Sequence, residues 1–341
     1  MSSNPKEEDK PRIGITVGDV NGIGPEVIIK TLADNRILNM FVPVVYGSTK
    51  VLSYYRKAYN IRDLNYSQCK GTEFITNKIN VVNCWDEMIN IQAGSVTTEA
   101  GTASFLALKK AVEHLKEGLI QAVVTAPINK NNIQSDDFKF AGHTEYFTTS
   151  FESKDSLMFL TGQELRVGVV TGHIPLKDVS ARLSKELISS KLSIMEASLR
   201  SDFGIGKPRI AVLGLNPHAG EEGLLGKEEE QLIAPVIKDF KDKGKLIFGP
   251  YPADGFFGKG LYKKFDGVLA MYHDQGLIPF KTLEFNSGVN YTAGLPIIRT
   301  SPDHGTAYDI AGKNEANEES MRHALFSAYD IYKNRKEYKG I

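Results

Sequence analysis

The sequence predicts an α/β protein with a mostly parallel sheet and one antiparallel segment. Three observations carry this. Short apolar runs alternate with amphipathic stretches almost from end to end, the pattern of β/α crossover units. In mid-chain, the apolar runs at residues 157–160 and 166–170 are separated only by Thr-Gly-Gln-Glu-Leu, which suits a hairpin and is too short for a crossover. The length, 341 residues, corresponds to roughly two domains or one large α/β unit.

The elements follow in order. Residues 12–17 are apolar enough for a buried strand, and Pro25 in a first-turn position opens a helix over 25–32. A strand at 41–46 precedes a helical stretch near 51–59, and a third strand covers 79–82. Residues 103–119 have a helical period, with Phe105, Leu106, Ala111, Val112 and Leu115 close to one face. A strand at 122–125 ends at Ala126-Pro127. Past the hairpin comes a long helix over 184–201. Alternation then resumes with a strand at 209–215, a helix over 228–241, and strands at 246–248 and 268–272. Residues 289–299 are extended, and a helix over 319–333 closes the chain. Residues 1–10 read as a polar, disordered tail. The embedded hairpin and long helix suggest an outer lobe, residues 11–135 and 300–341, and an inner lobe, residues 136–299.

Composition excludes several classes. Lys plus Arg and Asp plus Glu each total 41, so the chain offers no net field for nucleic acid or anionic lipid. Cys69 and Cys84 are neither a CxxC pair nor a disulfide framework, and they suit a reducing compartment. No apolar run reaches the roughly 18 residues of a membrane span, and the N-terminus lacks a signal-peptide core. A cytoplasmic protein without nucleic-acid or membrane partners is expected.

The chemistry concentrates on histidines. His173, His218 and His273 each follow an apolar run, and ligands of open α/β sheets bind beyond the carboxyl ends of strands. Three imidazoles converging there would make a divalent-metal site with an open position. Taken singly, each is equally an ordinary turn residue or a satisfied polar group. Asp274 is either an orienter of His273 or a helix cap. His143 and Thr144 precede a short helical stretch and form either its cap or an anion site at its N-terminus. Lys281, Asn290 and Arg299 fit a phosphate or carboxylate clamp, with a solvated surface cation as the alternative. Two glycine-containing segments remain. Residues 17–26 lack the G-x-G-x-x-G spacing but allow a tight turn and close approach of backbone to a ligand. Residues 304–314 are either an ordinary loop leading into the last helix or a nucleotide wrap.

Gly-Asp-Val-Asn-Gly-Ile-Gly-Pro-Glu at 18–26, with His-Gly-Thr-Ala-Tyr-Asp-Ile-Ala-Gly-Lys at 304–313, resembles the β-decarboxylating dehydrogenases of isocitrate and isopropylmalate. In those enzymes the second segment cradles the adenosine of NAD or NADP. Further motifs narrow the resemblance: VVTAPINK at 123–130, AGHTE at 141–145, TGH at 171–173, LNPHAGEEG at 215–223, PADGFF at 252–257, YHDQGLIPFK at 272–281 and GVNYTAGLPIIRTSPDHGTA at 288–307. As a set, from about Arg12 to the final helix, these resemble the 4-hydroxythreonine-4-phosphate dehydrogenase family of pyridoxal phosphate biosynthesis.

The resemblance implies an isocitrate/isopropylmalate dehydrogenase-like fold of two α/β lobes. The outer lobe would be the nucleotide side, and the inner one would carry substrate, metal and dimer contacts. It assigns a divalent metal (zinc, magnesium or cobalt) to His173, His218 and His273, and substrate to His143, Thr144, Lys281, Asn290 and Arg299. NAD or NADP would lie on His304, Gly305, Ala307, Asp309 and Asn314. Lys281 and Asp254 are candidates for the general base. The implied reaction oxidises the C3 hydroxyl of 4-phosphohydroxy-L-threonine and releases CO2, in a homodimer whose site is shared between subunits. A paralogue acting on a tetronate 4-phosphate or a dihydrodiol carboxylate would share these motifs. A phosphate acyltransferase or a metal-dependent hydrolase is a more distant alternative. Val20 and Asn21 stand where the family commonly has Pro-Ala. The 61–77 segment is assigned no role.

Overall fold

The structure is a computed structural model that describes residues 10–69, 71–285 and 287–340. Most of the expected tail, residues 1–9, lies outside the described residues. Its last residue, Lys10, donates from Nζ to the Leu38 carbonyl at 3.0 Å.

The first part of the chain lays down β1 (Arg12–Thr16), α1 (Gly24–Leu32), β2 (Val42–Gly47), α2 (Thr49–Ala58), β3 (Tyr66–Gln68), β4 (Ile79–Asn83), α3 (Thr98–Lys116), β5 (Ala122–Thr125) and α4 (His143–Ser150). Next come β6 (Leu157–Thr161), β7 (Arg166–Thr171), α5 (Val179–Arg182), α6 (Lys185–Ser201), β8 (Arg209–Leu213) and α7 (Ala234–Asp242). The chain continues with β9 (Leu246–Tyr251), α8 (Ala253–Gly258), β10 (Gly267–Tyr272), α9 (His273–Glu284), β11 (Val289–Ala293), β12 (Ile298–Pro302) and α10 (Glu319–Tyr338). Side-chain caps set several helix starts. Ser48 accepts from Lys50 N, Thr97 from Ala100 N and Ser184 from Leu187 N, each satisfying an amide with no partner inside the helix. The Thr97 cap begins α3 five residues earlier than its apolar period suggests.

Two compact units result: residues up to Glu152 with Leu295–Tyr332, and Ser153–Gly294 with the residues from Lys333. The sequence put these divisions near 135 and 299. In the first unit the strand order is β3-β4-β2-β1-β5-β12, and every pair is parallel. Strands covered on both faces need apolar residues throughout. Val42, Val44, Val45 and Tyr46 on β2, and Ala122, Val123 and Val124 on β5, are buried accordingly. In the second unit the order is β11-β6-β7-β10-β8-β9. β6 pairs antiparallel with both β7 and β11, while β7, β10, β8 and β9 are parallel. The hairpin is therefore present as the sequence predicts. The single extended stretch at 289–299 is in fact two strands, divided at Gly294, whose φ of +89° suits glycine. Among the described residues, no helix is long and apolar enough to cross a membrane.

Buried charges lock the second unit. Arg335 on α10 donates to Asp202 Oδ1 at 2.7 Å and to Tyr291 Oη at 2.8 Å, and Tyr291 donates to Asp202 Oδ2 at 2.6 Å.

Close packing in the first unit gives a test. A Cβ on Gly101, inside α3, would overlap the Asn132 carbonyl group and stand 2.9 Å from the Ile133 nitrogen. Gly255, inside α8, has no neighbour within 4 Å of such an atom. Alanine in a helix interior normally gains up to about 1 kcal/mol over glycine. Gly255→Ala should hold or raise the urea midpoint, whereas Gly101→Ala should lose about 1–3 kcal/mol, the usual cost of overpacking. Urea unfolding followed by circular dichroism decides. A Gly101→Ala protein as stable as the parent would mean that the 129–133 turn does not lie against α3.

Candidate active site

In the first unit the chain passes from β1 to β2 on one side and later to β5 on the other. The glycine loop after β1 therefore sits at a topological switch point, the usual place for a ligand in such sheets. Asp19 anchors this loop. Its amide donates to the Pro127 carbonyl, just past β5, at 2.9 Å. Its fully buried carboxylate accepts from Asn21 N (2.9 Å), Asn132 Nδ2 (2.8 Å) and Tyr308 Oη (2.8 Å). Three donors offset the cost of burying the charge.

Through Tyr308 the glycine loop meets the candidate nucleotide segment. The Ile23 amide donates to the Thr306 carbonyl at 3.0 Å, and a Cβ on Gly22 would lie 2.9 Å from that oxygen. Asn21 ties in a third segment. Its side chain donates to Ser95 O and Thr97 Oγ1 and accepts from Gln92 N. The two motifs are thus packed together although nearly 300 residues separate them. Within the segment, Ala307 and Asn314 have positive φ, Gly305, Asp309 and Asn314 are exposed, and His304 Nδ1 lies 3.0 Å from the Gly305 carbonyl.

The same unit holds an anion-type cluster. α4 starts at His143 with no side-chain cap, so Thr144 does not play that part. Arg299, on β12, is buried and is no surface cation. Its Nε and Nη2 both donate to Thr125 Oγ1, at 3.1 and 2.7 Å. Burial pushes its pKa down to about 9, against the pull of the Glu145 carboxylate. Burial, reinforced by the Arg299 and Lys130 cations, holds the His143 imidazole well below its ordinary value. His143 Nε2 is buried without a hydrogen-bond partner, an uncommon state that a polar ligand would relieve.

In the second unit β10 lies between β7 and β8, so the carboxyl ends of three parallel strands are side by side. His173 follows β7, His273 follows β10 and His218 follows β8. The His173 and His273 rings come within 5.5 Å of each other. Both line an open cavity of about 450 Å³ with Gly172, Ile174, Tyr272 and Asp274. Asp274 Oδ1 lies 2.6 Å from His273 Nδ1, which makes it the orienter and leaves Nε2 as the nitrogen available to a ligand. The cap position of α9 is Tyr272, which makes no side-chain capping bond.

His218 stands apart from this pair. It lies in a left-handed turn in which His218, Ala219, Gly220, Glu221 and Glu222 all have φ between +44° and +85°. Such a conformation costs about 1–2 kcal/mol for each L residue. Among the described residues no three His, Cys, Asp or Glu side chains are grouped closely enough to hold a metal. Gln275 ties two of the strand ends together, donating to Gly214 O at 2.6 Å and accepting from Met271 N at 2.7 Å. Asn290 on β11 has a buried Oδ1 without a hydrogen-bond partner. Lys281 is half-buried on α9, and Asp254 is exposed on α8.

Sequence reasoning missed Asp19, Asn132, Tyr308, Thr125 and Gln275, all of which organise these sites. All but Asn132 lie inside the motifs given above, and that was their only signal.

Comparison with known proteins identifies the family and the fold. The family model described as pyridoxal phosphate biosynthetic protein PdxA matches residues 39–328. A 4-hydroxythreonine-4-phosphate dehydrogenase from Bacteroides thetaiotaomicron is 52% identical over 335 residues, covering 98% of this chain and 92% of its own. A provisionally named D-threonate 4-phosphate dehydrogenase from Oceanobacillus iheyensis is 41% identical, covering 94% and 98%. The crystal structure of 4-hydroxythreonine-4-phosphate dehydrogenase from Klebsiella pneumoniae superposes with a TM-score of 0.82 at 36% identity, covering 95% of this chain and 98% of that one. In sequence over nearly its whole length and in fold, this chain belongs to the PdxA family of pyridoxal phosphate biosynthetic enzymes, a family of dehydrogenases.

Proposed function

We propose that the protein oxidises 4-phosphohydroxy-L-threonine at C3 with NAD or NADP, and that the resulting β-keto acid loses CO2 to give 3-amino-2-oxopropyl phosphate. The observation that carries this reading is the His173–His273 pair beside Asp274, at the ends of adjacent parallel strands and facing a cavity. Imidazole ligands, one of them held by a carboxylate, suit zinc or cobalt, and magnesium less well. His173, His218 and His273 would hold the metal. Because His218 is not grouped with the other two, the reading has ligands contributed by two copies of the chain. Exposed Leu176, Leu224, Ile278 and Phe285 on the second unit support pairing with a second copy. A divalent ion bound there supplies Lewis-acid stabilisation of negative charge on the substrate oxygen.

The chain's own groups do the rest. Arg299, Thr144 and neutral His143 in the first unit, and Lys281 and Asn290 in the second, bind the phosphate and carboxylate. Binding energy from those remote groups orients C3. Lys281 or Asp254 takes the hydroxyl proton. His304, Gly305, Ala307, Asp309 and Asn314 carry the nucleotide. The cytoplasm is the setting we propose, in keeping with the two free cysteines, Cys69 and Cys84. The test is formation of reduced nicotinamide from 4-phosphohydroxy-L-threonine, with D-threonate 4-phosphate in parallel and with and without a chelator. Turnover of the second substrate alone would assign the chain to the paralogous activity.

Three outcomes follow. Asp274→Asn should weaken zinc retention by about 10–100-fold, as removal of an outer partner does, and His273→Ala should weaken it further. Equal retention in both variants and the parent would remove the metal from this place.

Arg299→Lys keeps the charge but loses the two-pronged contact. It should cost roughly tenfold to a few hundredfold in kcat/KM on the phosphorylated substrate, and little on its dephosphorylated form. An equal fractional loss on both would take Arg299 out of the phosphate site.

The third concerns pH. The folded protein binds a proton on His143 less readily than the unfolded chain, so stability falls as pH drops below the ordinary histidine range. Between neutral pH and about pH 5 the parent should lose more stability than His143→Gln. Parallel urea curves at the two pH values check this, and identical losses would contradict it.

A further inference from the structure

We infer that Glu229 is the positioning residue for His218: a buried carboxylate that holds the left-handed turn in the shape that presents this imidazole. The inference rests on the metal reading for what His218 does, but not for how the turn is held.

A run of left-handed L residues needs a neighbour that over-determines it. Glu229 is that neighbour. It is 3% exposed and opens the helical segment Glu229–Ile233, a π turn that leads into α7. Its Oε1 accepts from the Asn216 amide at 2.7 Å, and its Oε2 from Asn216 Nδ2 at 3.0 Å. Asn216 is the cap position of the turn, two residues before His218.

The carboxylate also fills the space between the two ends of the loop. A Cβ on Gly214, where the chain leaves β8, would lie 3.0 Å from Oε1, and one on Gly220, inside the turn, 2.7 Å from Oε2. Both positions are therefore closed to a larger residue while Glu229 is in place. Glu228 extends the hold from outside. It accepts from the same Asn216 Nδ2 at 2.8 Å and from Ser180 Oγ at 2.5 Å. Within the turn the Ala219 amide donates to Asn216 O and the Leu225 amide to Gly220 O, so a shift of Asn216 propagates to every residue around His218. Glu229 is withdrawn from solvent and acts through the turn.

The experiment measures zinc affinity by competition with a chromophoric chelator, together with hydrogen exchange of residues 217–225. It uses the full-length parent, Glu229→Ala, Glu229→Gln, His218→Ala and the double variant. Glu229→Ala should raise the zinc Kd by about 10–100-fold. It should also speed exchange at 217–225 while β7 and β10 exchange as in the parent. Glu229→Gln keeps an oxygen for the Asn216 amide and should recover part of both effects. In the His218→Ala background, Glu229→Ala should add nothing to the zinc loss, because both changes disable one ligand, while still speeding exchange at 217–225.

Unchanged zinc affinity and exchange in Glu229→Ala overturns the inference, as does a loss that simply adds to that of His218→Ala. If Glu229→Ala fails to fold, Glu229→Gln carries the same two readouts, and parental values for both overturn it. If the parent's zinc binding does not depend on His218, the metal reading fails on its own. Exchange at 217–225 then decides whether Glu229 holds the turn.

Discussion

A strand that pairs in parallel with its neighbour can be reached only by a crossover, so the chain leaves every such strand at the same edge of the sheet. In the first unit this brings the loops after β1 and β5 together, where the Asp19 amide meets the Pro127 carbonyl. In the second it sets the exits of β7, β10 and β8 side by side, and those exits carry His173, His273 and His218. Only β6 runs the other way; β11, antiparallel to β6, runs with β7 and carries Asn290 within the strand itself. The placement of the chemistry is thus a consequence of strand direction before it is a consequence of any side chain.

Buried ionic groups then fix the loops. Asp19 and Glu229 play the same part in different units. Each is a carboxylate withdrawn from water, saturated by amide and backbone donors, and wedged where several segments meet. Removing donors from such a group is costly, which makes these loops stiff. Arg299 and His143 are arranged the opposite way. Burial disfavours the charged form of both, and one nitrogen of His143 has no hydrogen-bond partner. Asp19 and Glu229 are satisfied by the protein, whereas burial withholds from Arg299 and His143 the solvation that favours their charged forms.

Much of the fold was legible because burial on both faces forces apolar runs. The strands at 12–17, 41–46, 79–82, 122–125 and 268–272 stand within a residue or so of the observed β1, β2, β4, β5 and β10. β3 was not legible, since Tyr66, Ser67 and Gln68 at the sheet edge are only partly covered and carry no apolar signature. α9 was also missed. Its sequence opens on His-Asp rather than on a capping residue, and Pro279 interrupts its pattern. The three histidines could be picked out as strand-end residues, and Asp274 as one of two things. The handedness of the turn around His218 could not, because Asn-Pro-His-Ala-Gly-Glu-Glu-Gly reads as an ordinary loop. Its shape depends on Glu229, whose contact with it is visible only in three dimensions. The same holds for Arg299, whose burial depends on pairing between β12 and β5.

The strand orders also bear on how the protein is made. β5 waits for β12, so that Thr125 meets Arg299, 174 positions further along the chain. β7 and β8 are both flanked by β10, which is synthesised after β9. Neither unit can complete its sheet while it is emerging in order from a ribosome. In the second unit a gap stays open between β7 and β8 until β10 arrives, and in the first β5 keeps an unpaired edge until β12 does. Non-local pairing of this kind is slow and leaves sticky edges exposed in the meantime. Truncation before β12 would leave the first sheet without its last strand and Thr125 without Arg299.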